Sequence, residues 1–394
     1  MTDTANTHSG ALGVDPMLTD AVNQILGDLA TSEAVREAEA GDGFGRPLWD
    51  ALAESGLTGV GIDEEAGGSG GTIADAAELV LQAARYAAPV PLAETVLLAG
   101  PALAAAGLAV PEGPLTVVSE PGALRATHDG DGWTVTGEAA FVPYARIAGH
   151  IVALAAAGGA KAAGGAKAAG GATAAGGATA AGGATAAGAG GLVLVVLPAV
   201  ELTITPGSNF AGEPRDTVTA GGVRATAAAP APEGWDAKGW RLRGALARSV
   251  QLAGALDRVL EMTVTHAKTR VQFGKPIVRF QAVGQLVAQL GEQVAAARMA
   301  AETGVLATAA GRPDEDVPIA KIITAEAATK GSAIAHQVHA AMGMTREHDL
   351  QLFTRRMWSW REESGGETVW ATEFGSLVAE AGPGELWPLI SAAR

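Results

Sequence analysis

Apolar residues first recur at three- and four-residue intervals. Leu18, Val22, Ile25, Leu26 and Leu29 fall on one helical face, with Thr19 and Asp20 as candidate caps. The same spacing returns in LWDALAESGL and ADAAELVLQAARYAAP, so residues 17–112 predict a helical N-terminal domain. Between these segments, GIDEEAGGSGG is a loop by its glycines. From Pro114 the period changes. LTVVSEP, GWTVTGEAAFV, HIVALA, GLVLVVLP, ELTITP and DTVTAGGV are short, β-branched and separated by Gly, Pro and Asp, predicting an antiparallel sheet or small barrel over 113–228. From residue 229 to 394 the helical period resumes in three long segments, ending in VPIAKIITAEAATKGSAIAHQVHAAMG. The order is helices, sheet, helices: an α+β chain.

Two segments stand outside this pattern. Residues 1–16 read as a flexible polar tail with no export signal. Residues 155–191 repeat AAGGAK and then AAGGAT, with no aliphatic side chain larger than alanine to fill a β-helix, so a low-complexity loop interrupting a hairpin is expected. The most apolar run, LVLVVLPAV, is far short of the roughly 20 residues a membrane helix needs. A soluble, cytoplasmic protein with no membrane partner is expected.

Charge and cysteine content narrow the chemistry. A net charge of −15 disfavours nucleic acid as a partner, and the absence of cysteine removes disulfides, thiolate metal sites and a cysteine nucleophile. No histidine spacing resembles a metal site, and GGSGG lacks the Lys-Ser/Thr of a phosphate loop. An anionic ligand therefore needs a local basic patch. RVQFGKPIVRFQ, from Arg270 to Gln281, is one, and Gly274 and Pro276 make it a shaped loop rather than helix.

RVQFGKPIVRFQ, LWDALAESGLTGVGIDEEAGGSGG and QVHAAMGMTREHDLQLFTRR together resemble the acyl-CoA dehydrogenases over nearly the whole chain. The resemblance implies an N-terminal helical domain, a middle antiparallel β-domain and a C-terminal four-helix bundle. It also implies FAD as cofactor, an acyl-CoA substrate undergoing α,β-dehydrogenation, and electron-transfer flavoprotein as acceptor. By the same resemblance Arg270 pairs with the FAD diphosphate of a neighbouring subunit, a task suited to a guanidinium fork. Gln272, Phe273, Phe280 and Gln281 then line the adenosine and ribose. Gln337, Val338, His339, Ala340, Ala341 and Gly343 match the family segment that lies against FAD, with alanines where the family has two glycines.

The chain departs from the family at the base and around the flavin ring. The usual glutamate falls on Ser364, 27 residues after Gln337, and the minority position falls on Gly244, 26 residues before Arg270. Glu363, one residue away, is the candidate base, in competition with Glu362 and Glu367. Ser119-Glu120-Pro121 survives from the β-domain pattern, but the Gly-Ser-Asp flavin loop is missing and Pro143 replaces a threonine. Arg346, Arg355, Arg356 and Arg361 are candidates for CoA phosphates or for surface pairing with Glu347 and Asp349. The losses suggest one subunit of a hetero-oligomer, resembling the α2β2 actinobacterial acyl-CoA dehydrogenases of steroid side-chain thioesters. A self-sufficient homotetramer using Glu363 and a non-catalytic structural subunit are the alternatives.

Overall fold

The computed structural model describes residues 12–158, 191–384 and Trp387. Residues 1–11 of the expected tail and 159–190 of the expected low-complexity loop lie outside the described residues. The first helix, α1 (Pro16–Leu29), starts at a proline, whose missing N–H is harmless at that position. Asp15 caps it, its carboxylate accepting the Met17 amide at 2.9 Å. Thr19 and Asp20, the expected caps, lie inside the helix; the Asp-Pro pair is the stronger start signal. Helices α2 (Ser32–Ala40), α3 (Arg46–Glu54) and α4 (Ile73–Arg85) follow, the last opened by a reciprocal capping box between Thr72 and Asp75. A π-helical turn, Glu94–Ala99, then runs into α5 (Gly100–Ala105) and carries Glu94 into the interior.

The strands are β1 (Leu115–Val117), β2 (Leu124–His128), β3 (Trp133–Pro143), β4 (His150–Gly158), β5 (Leu192–Pro198), β6 (Thr203–Thr205), β7 (Arg215–Arg224) and β8 (Ala227–Pro230). They pair in the order β6-β7-β3-β2-β4-β5-β8, with β1 also on β4. The sheet is mixed rather than wholly antiparallel. After the β2–β3 hairpin the chain crosses back, so β4 runs parallel to both β1 and β2. The hairpin expected around the repeat is present, β4 and β5 pairing antiparallel from His150↔Pro198 to Ala156↔Leu192. Residues 155–158, expected to be loop, extend β4.

Period-two alternation divides β4 and β5 between two cores. Ile151, Ala153, Val193, Val195 and Leu197 fill one face of the sheet, whereas Val152, Leu154, Leu194 and Val196 pack with the N-terminal helices and Trp240. Trp240 belongs to α6 (Ala237–Thr269), and its indole donates to the Val118 carbonyl at 2.9 Å, tying helix to sheet. After α6 come the two-residue strands β9 (Val271–Gln272) and β10 (Lys275–Pro276), then α7 (Gln281–Ala309), α8 (Pro313–His339), α9 (Leu350–Trp360) and α10 (Glu367–Ala381). Leu252, Leu256, Val259, Leu290, Val294 and Met357 form the interior of this bundle. A Cβ on Gly254 would lie 2.2 Å from the Leu81 carbonyl oxygen, so α6 meets α4 backbone to backbone. No helix among the described residues is long and apolar enough to cross a membrane.

Candidate active site and cofactor surface

Helix α6 and the turn between α9 and α10 meet at two residues. A Cβ built on Gly244 would stand 2.7 Å from Ser364 Oγ and 3.2 Å from Ser364 Cβ. The two sequence positions at which the family resemblance places a base are thus one place in space, and neither carries a carboxylate. Ser364 holds a left-handed backbone, φ 57°, and its carbonyl accepts the Trp370 indole N–H at 2.9 Å. That strain is maintained by the packing of the turn.

Glu363, the neighbouring residue, is bound into an ion network. Its carboxylate meets Arg215 of β7 through two bonds of 2.9 Å and Arg248 of α6 at 2.9 Å, and accepts from Asn209 Nδ2 at 3.2 Å. Arg248 also reaches Glu94 at 2.8 Å, and Arg215 reaches Glu213 at 3.2 Å. Burial alone would raise the Glu363 pKa, but Arg215 and Arg248 overcome it and hold the carboxyl at about 2. A carboxylate held there is a poor acceptor for an α-proton, because a general base works best with a pKa near the operating pH. Glu362 pairs with Arg361 at 2.8 Å, and Glu367 sits exposed in the first turn of α10.

The network continues beneath. Glu213 accepts the Trp360 indole at 2.9 Å and meets Arg356 at 3.3 Å, while Glu39 of α2 takes Arg355 at 2.5 Å and Arg356 at 2.7 Å. Arg355 and Arg356 therefore join domains inside the protein rather than balancing Glu347 and Asp349 on its surface. Asp349 is instead paired with Arg36 at 2.6 Å. Lys321 is fully buried and donates to the Trp360 and Arg361 carbonyls at 2.9 and 2.8 Å, closing the C-terminal end of α9. Burial lowers its pKa to about 7 despite the pull of Glu363.

The loop that follows α6 is a small hairpin. Gln272 pairs with Lys275 and Val271 with Pro276, and the two residues between them, Phe273 and Gly274, have φ of 51° and 77°. Positive φ at both central residues is what a type I′ hairpin turn demands, so the glycine is a conformational choice. Phe273 is 91% exposed and meets Phe280 edge-on at 6.1 Å, and the Lys275 ammonium lies 4.5 Å from the Phe280 ring centre. Arg270, Gln272 and Gln281 are exposed beside them. The turn thus displays a guanidinium, two amides and an aromatic pair to whatever docks there.

The Gln337–Gly343 segment lies against the same end of α6. Val338, His339 and Gly343 are buried while Gln337, Ala340 and Ala341 are exposed. His339 stacks on His266, their ring centres 4.3 Å apart, and the Arg270 amide bonds the His266 carbonyl at 2.9 Å. The structure therefore brings the Arg270 loop and the Gln337–Gly343 segment into one surface. Ala340 has φ 52°, left-handed geometry at the place where the family has a glycine.

On the sheet side, Val142 and Pro143 end β3 opposite Asp216 and Arg215, after a register shift beyond Ala139. The Pro143 carbonyl accepts the Thr116 hydroxyl, and proline itself has neither a hydroxyl nor an N–H to offer a ligand. Phe141, at φ 56°, is exposed.

Two family models match the chain. "Acyl-CoA dehydrogenase, N-terminal domain" matches residues 16–109 and "Acyl-CoA dehydrogenase, C-terminal domain" matches residues 233–369. The chain is 28% identical over 346 residues to the acyl-CoA dehydrogenase IpdE2 of Mycobacterium tuberculosis, covering 86% of this chain and 89% of that protein. Its fold is similar to the ChsE4-ChsE5 complex of Mycobacterium tuberculosis, with TM-score 0.80 and 23% identity over 94% of this chain and 99% of the other. It is also similar to the Tcur3481-Tcur3483 steroid ACAD, with TM-score 0.76 and 25% identity over 93% and 97% of the two chains. With both family domains matched and the helix–sheet–helix order between them, the chain belongs to the acyl-CoA dehydrogenases, oxidoreductases acting on CH–CH bonds.

Proposed function

We propose that this chain is the non-basic subunit of a hetero-oligomeric acyl-CoA dehydrogenase. It lends Arg270 to the diphosphate of an FAD whose ring and catalytic base belong to a companion acyl-CoA dehydrogenase chain. The observation that carries the reading is the contact of Gly244 with Ser364 beside a Glu363 already committed to Arg215 and Arg248. This chain has no carboxylate poised at the base position, yet it keeps an exposed, ordered guanidinium loop.

The fit to FAD is uneven in the same sense. Arg270, Gln272, Phe273, Phe280, Gln281 and Gln337 suit an adenosine diphosphate moiety, since they offer a cation, amides and aromatic faces on one surface. The segment ending in Pro143 suits the flavin ring poorly. When bound, the flavin supplies the hydride acceptor while a base takes the α-proton. The part of this chain is to hold the diphosphate charge and to keep the Arg270 turn rigid through the Phe273–Gly274 geometry.

Relatives support the partner and substrate. One fold neighbour is a complex of two different chains, and another is described as a steroid ACAD. The substrate class we infer is therefore the CoA thioester of a steroid side chain, with electron-transfer flavoprotein as acceptor. Purification of the chain alone and with companion subunits tests the assignment. The isolated chain should carry less than about a tenth of an equivalent of FAD and show no thioester oxidation, and the pair should be yellow and active. A yellow, active isolated chain would return the role of base to Glu363.

A further inference from the structure

The dinucleotide surface is backed by histidines that the function above does not use. His339 ends α8, is 3% exposed, and has no hydrogen-bond partner on either ring nitrogen. Its ring lies 21° from parallel with His266 and meets His348 edge-on, with ring centres 4.8 Å apart. His336, one turn earlier on α8, places Nε2 3.1 Å from Thr354 Oγ1 and leaves Nδ1 buried without a partner. The Thr354 hydroxyl also lies 3.3 Å from the Leu350 carbonyl, and the direction of its bond with His336 follows the imidazole tautomer. His348 Nδ1 accepts the Leu350 amide at 3.1 Å and so carries a lone pair.

Every charged neighbour shaping this group is basic. Burial first, and then His266, His348 and His336, push His339 down to about 4. His266 is lowered by burial, then by His348 and Arg270. His336 is lowered by burial and His348. Two acids flank His348: Asp349 is taken by Arg36 of α2, which also binds the backbone carbonyl of the other, the exposed Glu347, at 3.0 Å. Stacked imidazoles beside a guanidinium hold a proton only when an anion arrives with it. The polar atoms needed for that are in place: buried, unpartnered ring nitrogens on His339 and His336, with His339 stacked on His266 one helical turn before Arg270.

We propose that His339, with His266, His348 and His336 around it, is a proton-loading site coupled to the diphosphate held by Arg270, so that the dinucleotide binds together with a proton. This inference rests on the assignment of Arg270 to a diphosphate. The proton comes from solvent and stays on an imidazole, and no covalent bond is made or broken. The chain without ligand keeps His339 neutral at pH 7. The incoming anion raises the imidazole's proton affinity, and binding tightens as pH falls, approaching tenfold per pH unit at full coupling of one proton.

The test uses the complex of the full chain with its companion subunit, stripped of flavin and titrated with FAD calorimetrically at pH 8 and pH 6. Two buffers of different ionisation enthalpy report the protons taken up. FAD should bind at least about fivefold more tightly at pH 6 with close to one proton taken up, and His339→Gln should abolish both effects. His266→Gln, on the more open side of the stack, serves if the buried variant does not fold, and should reduce the uptake. CoA, which also carries a diphosphate, should cause no uptake. Equal FAD affinity at both pH values, unchanged uptake in both histidine variants, or equal uptake with CoA would overturn the proposal. Arg270→Ala separates the two levels. If that complex keeps its FAD, the diphosphate assignment itself fails; if it loses FAD while the wild type shows no uptake, only the proton coupling fails.

Discussion

Gly244 and Ser364 touch across the junction of α6 with the α9–α10 turn, so that even a methyl group on Gly244 would be only 2.7 Å from the serine oxygen. Two routes by which this family supplies a base converge on that contact, and both end without a carboxylate. Replacing Ser364 by alanine removes only a hydroxyl there. In the assembled enzyme Ser364→Ala should leave kcat within a factor of about two, whereas loss of a working acid–base group costs roughly a hundredfold or more. Steady-state kinetics of the variant complex decide the matter.

Glu363→Gln should act on stability. The carboxylate satisfies Arg215 and Arg248 at 2.9 Å each, and its loss leaves buried guanidiniums short of charge, at a cost of roughly 3–5 kcal/mol in urea unfolding. Its folded pKa of about 2 lies below the ordinary 4.5. The stabilisation is therefore complete above about pH 4.5 and is lost as pH falls toward 2; the glutamine variant should lack that slope. A variant of unchanged stability whose complex has lost a hundredfold in kcat would identify Glu363 as the base.

Lys321 gives the opposite region of the pH profile. Its folded pKa of about 7 is below the ordinary 10.5, so between these values the unfolded chain holds more protons than the folded one, and stability rises with pH. Lys321→Met should flatten this rise. It also removes both donors to the Trp360 and Arg361 carbonyls, costing about 1–3 kcal/mol at pH 9. Urea midpoints at pH 7 and pH 9 measure both effects.

Much of this fold was legible in the sequence because it depends on neighbours along the chain. The three- and four-residue periods located the helices, and β-branched runs located most strands. β2 and β8 were missed, β8 because Ala227–Pro230 is alanine and proline, with no branched side chain to mark it, and Asp15 was missed because the cap precedes the first periodic leucine. The surroundings of Glu363 were not legible at all. Arg215 and Arg248 reach it from β7 and α6, and only the assembled domains put a carboxylate between them. The histidines, scattered from 266 to 348 in the sequence, likewise become one stack only when α6 meets the end of α8.

Gly274 tests whether the shape of the Arg270 turn matters. A Cβ on this residue meets nothing within 4 Å, so Gly274→Ala is penalised by its φ of 77° alone. That penalty is about 1 kcal/mol, and FAD affinity of the complex should fall about fivefold with little change in global stability. Unchanged affinity would mean that the turn is not part of the cofactor surface.

The most direct measurement is the FAD stoichiometry of the purified complex with Arg270 intact and with Arg270→Ala. If the guanidinium neutralises a diphosphate bound mainly by the companion chain, wild-type complex should retain its flavin through gel filtration. The alanine complex should assemble at the same mass and lose most of it. An alanine complex that stays fully loaded, or an isolated wild-type chain that holds one FAD and oxidises acyl-CoA unaided, would contradict the shared site.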